Sequence, residues 1–508
     1  MKLIGWHFLS LILCFTAHAY TKGKTYKITV LHTNDHHGRF WQNKDGELGL
    51  AARSTLIQQL KAKAKADGSH VLLLDAGDIN TGIPQSDMLD AEPDFKGMSL
   101  LGYDVMALGN HEFDNNLSVI RQQQKWAGFP FISANIYHVK GPRVFPARVK
   151  KEIEDLKITI FGLTTEDTPL KAKPGNTKGL EFKKAVNEAK KIVPEYRKDS
   201  DVIIAVTHIG HYPNENQGAD APGDVTLARK VDGIHLIVGG HTQKPLFGPD
   251  IQNGSIIVQA YEWGKYVGKV DLEFTDGKVV LKDYKLIPVN LKDSGVRIPE
   301  DQKILTALKA FKDKGDKSLL IPLGKLDHDL NGKRELVRYQ EAPLANFFTT
   351  AFRDKFNTDI AIINSGGIRE TLYAGVVTYE SVLTCLPFGG EIVIAEMSGK
   401  DLKKYLEHVV FELNPGSGSF AQIAGVEVLG KKETKQIVNL LINNRPLEEN
   451  RIYSIALPEF IAIGGDKYPP VKFKKFGFTD AEIVKEYLLK IKDLKSENFK
   501  VKNYIKFQ

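Results

Sequence analysis

The first half of the chain repeatedly places polar side chains directly after short apolar runs that have the composition of buried strands. In the clearest case, the apolar residues 105–108 are followed by Gly109, Asn110 and His111. A glycine permits a sharp turn, so Asn110 and His111 are predicted at the carboxyl end of a strand, where open α/β sheets bind ligands. Asp114 follows three residues later and is suited to hold the imidazole in its protonated form.

The same pattern recurs at four other predicted strand ends. Their polar residues are Asp35 and His37 after residues 26–31, Asp78 after 71–75, His208 after 202–206, and His241 and Gln243 after 234–238. Helical patterns alternate with these runs, as at 50–66 and 116–126, which predicts a layered α/β architecture. Carboxylates, imidazoles and neutral amides without thiolates are typical of a two-metal hydrolase and not of a structural zinc site. We therefore expect one cluster that holds two divalent metal ions, such as Zn²⁺ or Mn²⁺.

The bulk properties restrict the class of protein. A chain of 508 residues is too long for one hydrophobic core, so two or more domains are expected. Its 69 basic and 62 acidic residues are interspersed, without the dense basic stripe typical of nucleic-acid binding. The protein is therefore expected to have no nucleic-acid partner.

The first nineteen residues have the features of a secretory signal. Lys2 precedes the apolar residues 9–15, and Ala17-His-Ala19 is a small-x-small cleavage site. No later apolar segment reaches membrane length. The sequence thus predicts a periplasmic or secreted protein without an integral membrane segment, in which Cys385 is the one remaining cysteine and is buried.

The second half carries a different set of residues. A helical pattern at 297–311 predicts a linker helix before it, with apolar side chains at Ile304 and Leu308. Further on, Arg334 and Arg338 share a face if their segment is helical, and Arg369 follows a glycine-rich turn that begins at Asn364. These arginines suit a phosphate group, although a surface salt bridge is the alternative for each one.

Two phenylalanines lie beside glycine-rich loops. Phe388 precedes Gly389 and Gly390, and Phe460 lies shortly before Asp466. Each ring taken singly fits a core position, but as a pair near a phosphate site they could enclose a flat base. Asp466 could accept hydrogen bonds from ribose hydroxyls.

The motifs of both halves resemble the calcineurin-type metallophosphoesterases, and specifically the bacterial periplasmic 5′-nucleotidase/UDP-sugar hydrolase family. The matching motifs are Asp35-His-His37, Gly77-Asp78, Gly109-Asn-His-Glu112, Thr207-His208 and Gly239-Gly-His241. The resemblance extends from Tyr26 to about Tyr468. It implies an N-terminal four-layer α/β/β/α metallophosphoesterase domain, a C-terminal mixed α/β nucleotide-binding domain, and rotation of one domain against the other.

The resemblance also implies a role for each site residue. One ion would be held by Asp35, His37, Asp78 and Gln243, and the other by Asp78, Asn110, His208 and His241. His111 and Asp114 would form the catalytic dyad. In the second half, Arg334, Arg338 and Arg369 would bind phosphate, Phe388 and Phe460 would stack on the base, and Asn364, Gly390 and Asp466 would contact base and sugar.

The predicted segments are a signal peptide at 1–19, a dimetal domain at 20–296, a linker helix at 297–318 and a substrate-binding domain at 319–508. We expect a monomeric hydrolase that removes phosphate from nucleoside 5′-monophosphates with a hydroxide generated by the metal ions. Two further reactions suit the same site, namely UDP-sugar or dinucleotide pyrophosphate cleavage and 2′,3′-cyclic phosphodiester cleavage. A nucleotide-binding or surface-adhesion protein with weak catalysis is the alternative from another class.

Overall fold

The computed structural model describes residues 20–43, 45–172, 175–213, 222–413 and 415–507. The predicted signal peptide, residues 1–19, lies outside the described residues. Within the described ranges, no helix combines the length and apolar character that crossing a membrane requires.

The first half contains two six-stranded sheets. The strands of the first sheet are, in spatial order, Lys278–Pro288, Tyr266–Thr275, Tyr26–Thr33, His70–Asp75, Val105–Ala107 and Phe131–Ile132. Those of the second are Asp250–Gln252, Ser255–Gln259, Leu236–Gly239, Val202–His208, Leu156–Thr164 and Arg148–Ile153. The central strands of each sheet run parallel, so their carboxyl ends share one edge.

The two sheets pack face to face, and helices cover both outer faces. Val30 and Leu72 of the first sheet meet Ile160 and Ile204 of the second in an apolar layer between them. Alternate residues of the same strands, such as Leu31, point outward to the helices. The outer helices are Leu50–Ala66, Glu92–Leu101 and Leu117–Ala127 on the first sheet, and Ala185–Tyr196 and Asp224–Lys230 on the second. The predicted four-layer α/β/β/α order is confirmed.

The helix Gln302–Leu319 connects the two halves. Its N-cap residue Asp301 accepts a hydrogen bond from the Lys303 amide. Ile304 and Leu308 are buried in the same apolar cluster as the helices on the first sheet. The helix therefore packs as part of the first half. Shorter elements of that half are helices Pro84–Asp87 and Thr168–Lys171, 3₁₀ turns His111–Asp114 and Lys292–Ser294, and paired strands Ile136–His138 and Leu180–Phe182.

The second half is built on a five-stranded sheet. Its strands are, in spatial order, Ala421–Ala424, Ile360–Asn364, Ile452–Pro458, Ile392–Ser398 and Phe473–Lys474. Helices Pro343–Phe356, Tyr379–Cys385 and Asp480–Ile491 contribute to the core cluster on one face, and this cluster includes the buried Cys385. On the other face lies helix Gly399–Phe411 together with a sheet of Arg445–Pro446, Gln436–Ile442, Val426–Lys431 and Ile505–Phe507.

The remaining elements of the second half are short. They are strands Pro322–Leu326, Gly375–Thr378 and Asp493–Leu494, helices Arg334–Val337 and Glu459–Ala462, and 3₁₀ turns Ser365–Gly367, Gly465–Lys467 and Ser496–Phe499. The predicted mixed α/β character of this half is confirmed. Its glycine-rich loops follow the strands Ile360–Asn364 and Ile452–Pro458, which are parallel neighbours, so the predicted nucleotide contacts emerge at one edge.

Candidate functional site

The strand ends of the first half bring their polar side chains into one cluster. Potential ligand atoms of Asp78, His208 and His241 lie within 4.8 Å of one another, and so do those of Asp35, His37 and Asp78. Asp78 belongs to both groups. One carboxylate therefore lies between two neighbouring sets of ligand atoms, which is the arrangement that a pair of divalent ions requires.

Backbone carbonyls fix the orientation of two histidine rings. The Nδ1 atom of His37 lies 2.6 Å from the carbonyl oxygen of Thr81, and that of His208 lies 2.7 Å from the carbonyl oxygen of Ala76. Because Nδ1 must donate in both contacts, Nε2 carries the lone pair of each neutral ring. Nε2 of His37 lies 3.9 Å from Oδ2 of Asp78, and Nε2 of His208 lies 2.9 Å from the same oxygen. Both lone pairs thus face the cluster.

Other donor atoms complete a set that fits cations. Oδ1 of Asp35 and Oδ1 of Asn110 are buried and have no hydrogen-bond partner among the described residues. Buried oxygens are nearly always paired in folded proteins, so these two atoms fit a role as ligands. The Gln243 amide lies 2.7 Å from Nε2 of His37, at the edge of the same cluster. Oxygen and imidazole donors together suit divalent ions such as Zn²⁺ or Mn²⁺.

The backbone at these positions is unusual. Asp35, His37, Asp78, His241 and Gln243 all have positive φ angles, of 50°, 49°, 59°, 81° and 48° in that order. The left-handed region is disfavoured for residues with a Cβ atom, at about 1–3 kcal/mol each, and such residues concentrate at functional sites. Tight turns at the strand ends therefore direct these side chains inward at the expense of stability.

Gly109 is required by the position of Asp78. A Cβ atom at residue 109 would lie 2.2 Å from Oδ1 of Asp78 and 2.7 Å from its backbone nitrogen. Any larger residue would displace the shared carboxylate. The glycine that the sequence pattern assigns to a turn thus also makes room for a ligand.

Glu112 has a role that the sequence reasoning missed. Its carboxylate accepts hydrogen bonds from the backbone amides of Asp78 at 3.0 Å, Ile79 at 2.8 Å and Gly109 at 2.7 Å. It therefore ties the loop after His70–Asp75 to the loop after Val105–Ala107. The sequence contains the motif that includes Glu112. The spacing of that motif does not indicate that the Glu112 carboxylate accepts hydrogen bonds from a loop more than thirty residues away.

Asn34 was missed as well. Its Nδ2 atom donates to Oδ2 of Asp35 at 2.6 Å, and its Oδ1 atom accepts from the Ala260 amide at 2.8 Å. The Asp35 carboxylate is thus oriented by its sequence neighbour. The only sequence feature that could have indicated this role of Asn34 is the Asn-Asp pair directly after a predicted buried strand.

His111 and Asp114 form a close pair beside the cluster. Nδ1 of His111 lies 2.7 Å from Oδ2 of Asp114, which also accepts from the Thr81 hydroxyl at 2.5 Å. Burial by itself would lower the pKa of His111, but the charges of Asp114 and Asp78 raise it to about 10. The His111 side chain is 18% exposed. Its ring can therefore remain protonated and donate from Nε2 to a ligand.

The three predicted arginines of the second half lie close together. Burial lowers the pKa of Arg338, and the nearby charges of Arg334 and Arg369 lower it further. None of the three forms an ion pair with any residue that the structure describes. The surface salt-bridge alternative is therefore not what is found, and three neighbouring guanidinium groups form an attractive site for an anion.

Some of the remaining predicted residues lie near these arginines. Phe388 and Phe460 are 65% and 52% exposed, unlike core residues. The guanidinium carbon of Arg369 lies 5.5 Å from the centre of the Phe388 ring. Asn364 donates to Asp466 at 2.8 Å, and the charge of Asp466 acts on Arg338. The loop that contains Phe388 and the loop that contains Asp466 therefore both lie near the arginine group.

Phe460 and Gly390 lie at the margins of this group. The Phe460 ring packs against Gly465, the residue before Asp466, because a Cβ atom at 465 would lie 2.6 Å from it. Gly390 lies two residues after Phe388 and is followed by Glu391. The charge of Glu391 contributes to the raised pKa of His111. The loop with Phe388 and Gly390 is therefore on the side of the cluster where His111 lies.

Two family descriptions match the chain. Residues 28–245 match "Calcineurin-like phosphoesterase", and residues 322–472 match "5'-nucleotidase, C-terminal domain". Among curated proteins, the chain is 44% identical to "5'-nucleotidase" of Vibrio parahaemolyticus over 510 residues, which covers 93% of this chain and 90% of that protein. It is 42% identical to "Protein UshA" of Escherichia coli over 532 residues, which covers 97% of this chain and 96% of that protein.

Solved structures share the fold. A 5'-nucleotidase precursor from Thermus thermophilus aligns with 95% of this chain and 99% of its own, at a TM-score of 0.58 and 28% identity. The NAD nucleotidase (NadN) of Haemophilus influenzae aligns with 96% of this chain and 99% of its own, at a TM-score of 0.74 and 21% identity. At the latter identity the likeness concerns the fold alone.

Proposed function

The chain belongs to the 5′-nucleotidase family, in which a calcineurin-like phosphoesterase domain precedes a 5′-nucleotidase C-terminal domain, and we propose that it removes phosphate from nucleoside 5′-monophosphates at a two-metal centre. Hydrolysis of phosphate esters of nucleotides is the activity of this family as a whole. The observation that carries the finer proposal is the position of Asp78, whose carboxylate belongs to two neighbouring groups of ligand atoms.

Seven side chains would hold the two metal ions. Asp35, His37, Asp78 and Gln243 would bind one ion, and Asp78, Asn110, His208 and His241 would bind the other. When bound, two divalent ions supply a hydroxide nucleophile at neutral pH and neutralise charge on phosphoryl oxygens. The unpaired oxygens of Asp35 and Asn110 and the inward Nε2 atoms of His37 and His208 support this assignment.

His111 and Asp114 would act on the phosphoryl group. With Nδ1 engaged by Asp114 at 2.7 Å, the free Nε2–H of His111 can donate to a phosphoryl oxygen as charge develops on it. Asp114 holds the ring in this orientation and favours its protonated form. The backbone amide of His111 donates to Oδ1 of Asp78 at 2.9 Å, so the dyad and the shared ligand keep a fixed spacing.

The second half would bind the nucleotide. Arg334, Arg338 and Arg369 supply planar donors for phosphate oxygens. The exposed rings of Phe388 and Phe460 would enclose the base, while Asn364, Gly390 and Asp466 would contact base and ribose. The exposure of both rings and the position of the Arg369 guanidinium 5.5 Å from the centre of the Phe388 ring support this division.

The proposed organisation follows the predicted boundaries, with a dimetal domain at 20–296, a linker helix at 297–318 and a substrate domain at 319–508. The first nineteen residues are proposed to direct export to the periplasm or medium. We further propose that the mature chain acts as a monomer.

The proposal is tested by phosphate release from AMP and UMP with purified protein that begins at Tyr20 and is supplied with Mn²⁺ or Zn²⁺. We expect rapid release from both nucleotides and slower release from a simple alkyl phosphate. Failure to release phosphate from any nucleoside 5′-monophosphate with Mn²⁺, Zn²⁺, Co²⁺ or Mg²⁺ would contradict the proposal.

A further inference from the structure

Thr81 lies on the loop that follows the strand His70–Asp75. Its side chain belongs neither to the proposed metal ligands nor to the proposed nucleotide contacts. The hydroxyl donates to Oδ2 of Asp114 at 2.5 Å, and the backbone carbonyl oxygen accepts from Nδ1 of His37 at 2.6 Å. One residue therefore contacts both a proposed metal ligand and the carboxylate that holds His111.

The two imidazole rings that depend on these contacts are neighbours. The rings of His37 and His111 meet edge to face with their centres 5.2 Å apart. Nδ1 of His111 lies 2.7 Å from the same Asp114 oxygen that accepts from Thr81. The Thr81 carbonyl thus orients one ring directly, and the Thr81 hydroxyl acts on the other ring through Asp114.

The backbone of Thr81 has a conformation that its own side chain disfavours. Its φ angle is 65°, in the left-handed region, where a β-branched residue is a rare exception. Glycine adopts this conformation without a steric penalty, so the turn alone does not call for threonine. Strained residues of this kind concentrate at functional sites. The hydroxyl, which glycine lacks, accounts for the presence of threonine here.

The residues on either side hold Thr81 in this conformation. The side-chain amide of Asn80 donates to Oε1 of Glu112 at 3.1 Å. Gly82 packs against His37, because a Cβ atom at residue 82 would lie 2.9 Å from Cβ of His37. The loop is thus fixed before and after Thr81, so the Thr81 hydroxyl has a set direction.

The hydroxyl bears on the direction of the His111 ring. The Asp114 side chain is 2% exposed, and its Oδ2 atom accepts from both Thr81 and His111. Loss of the hydroxyl would remove one of these donors and ease rotation of the carboxylate about its Cβ–Cγ bond. The His111 ring would then turn with the carboxylate, and small displacements of a group that acts on the reacting atoms lower the rate strongly.

We propose that Thr81 is a positioning residue, whose hydroxyl orients the Asp114 carboxylate so that Nε2–H of His111 points to the phosphoryl group at the metal cluster. This inference rests on the proposed function and adds a residue to the dyad. Thr81 itself makes no contact with the reacting atoms. Its effect passes through Asp114 and His111, and it should therefore appear in kcat and not in metal affinity.

The test compares Thr81→Val with Thr81→Ser in protein that begins at Tyr20, with AMP as substrate and Mn²⁺ as metal. Valine keeps the branched shape and the carbonyl that accepts from His37, but it removes the hydroxyl. We expect Thr81→Val to lower kcat and kcat/KM together by about tenfold, as for loss of one hydrogen bond to a charged group. Thr81→Ser should retain kcat within about twofold. Affinity for Mn²⁺ should change less than about twofold in both variants.

Thr29→Val is the matched control. The Thr29 hydroxyl also donates to a carboxylate, that of Asp271, at 2.8 Å, and Thr29 is buried. It lies in the middle of the strand Tyr26–Thr33, away from the strand end that leads to Asp35. Both valine variants lose a hydroxyl–carboxylate hydrogen bond and should unfold at a lower temperature, but only the change at residue 81 should lower kcat.

A second background separates action through the dyad from a general effect on the loop. With Asp114→Ala, the Thr81 hydroxyl has no carboxylate to orient, so Thr81→Val should lower kcat by less than a further twofold. A further tenfold loss in that background would overturn the proposal. So would an unchanged kcat in Thr81→Val alone, or a loss of Mn²⁺ affinity as large as the loss of kcat. If Thr81→Val does not fold, Thr81→Gly replaces it in both backgrounds, because glycine suits the left-handed conformation.

The outcomes separate this inference from the function on which it rests. Failure of the unmodified chain to release phosphate from AMP would contradict the proposed function and this inference with it. Full kcat in Asp114→Ala would remove the dyad through which Thr81 is proposed to act. An active unmodified chain whose kcat falls in Asp114→Ala but not in Thr81→Val would contradict the inference alone.

Discussion

The Nε2 atom of His208 lies 2.9 Å from Oδ2 of Asp78. The same carboxylate oxygen lies 3.9 Å from Nε2 of His37, so Asp78 stands between histidines that come from opposite sheets. This relationship makes Asp78 the residue on which both proposed ion positions depend.

Replacement of Asp78 by Ala should therefore be the most damaging single ligand change. We expect kcat/KM for AMP to fall at least about 10³-fold, since several kcal/mol of charge stabilisation depend on both ions. His241→Ala, which affects one group only, should retain more bound metal. Measurement of metal content beside kcat/KM checks this, and an Asp78→Ala protein that keeps two ions and most of its activity would disprove the bridging role.

His111→Ala should slow turnover without releasing metal. The imidazole is assigned to the developing charge of the phosphoryl group, so kcat and kcat/KM should fall together, by about 10²–10⁴-fold. Metal analysis of the same preparation distinguishes the two roles for His111. An emptied metal position would reassign His111 as a ligand.

Glu112→Gln should weaken the metal centre although Glu112 is not a proposed ligand. One oxygen of the Glu112 carboxylate accepts from the Asp78 and Gly109 amides and the other from the Ile79 amide. A carboxamide keeps a single acceptor oxygen, so its NH2 group would face the amide donors on one of these two sides. Loss of such support around a metal site lowers metal affinity by about 10–100-fold. Titration with Mn²⁺ of metal-free protein measures this. Unchanged affinity would show that Glu112 has no part in positioning the loops.

Phe388→Ala or Phe460→Ala should weaken the use of AMP more than that of a simple alkyl phosphate. The expected loss is about 1–3 kcal/mol per stacked ring. Val438→Ala is a matched control, because Val438 is 55% exposed elsewhere in the second half. Steady-state kinetics on both substrates check the prediction, and equal losses on AMP and the alkyl phosphate would remove the rings from the base site.

The isolated first half should retain metal binding but lose nucleotide preference. A fragment of residues 20–319 keeps Ile304 and Leu308, which are 4% and 1% exposed in its core, and it should slowly hydrolyse an activated aryl phosphate. A fragment ending at 296 loses the burial of these two side chains, worth about 1.5–3 kcal/mol each, and should be less stable. Hydrolysis of AMP by the 20–319 fragment with near-native KM would place the nucleotide site outside the second half.

The layered architecture was predictable because apolar runs with the composition of buried strands alternate with helical patterns along the first half. The helix predicted at 50–66 has the same bounds in the structure, Leu50–Ala66. The predicted strand at 105–108 ends one residue earlier, at Ala107. The positions of this helix and this strand depend on the local spacing of apolar residues, which can be read from the sequence.

Other features of the site depend on contacts between distant loops. The positive φ angles of Asp35 and Asp78 arise from loop closure and leave no mark in the residue types. The hydrogen bonds that Glu112 accepts from the backbone amides of Asp78, Ile79 and Gly109 join segments that are far apart in the sequence. Local propensity contains no information on such approaches, so the Glu112 contacts emerged only from the structure.

The most direct test of the account is metal removal and return while phosphate release from AMP is followed. Protein stripped by a chelator should be inactive, and activity should return with added Mn²⁺ or Zn²⁺ in proportion to bound metal up to two ions per chain. Full activity of the stripped protein, or maximal activity with a single bound ion, would contradict the two-metal mechanism.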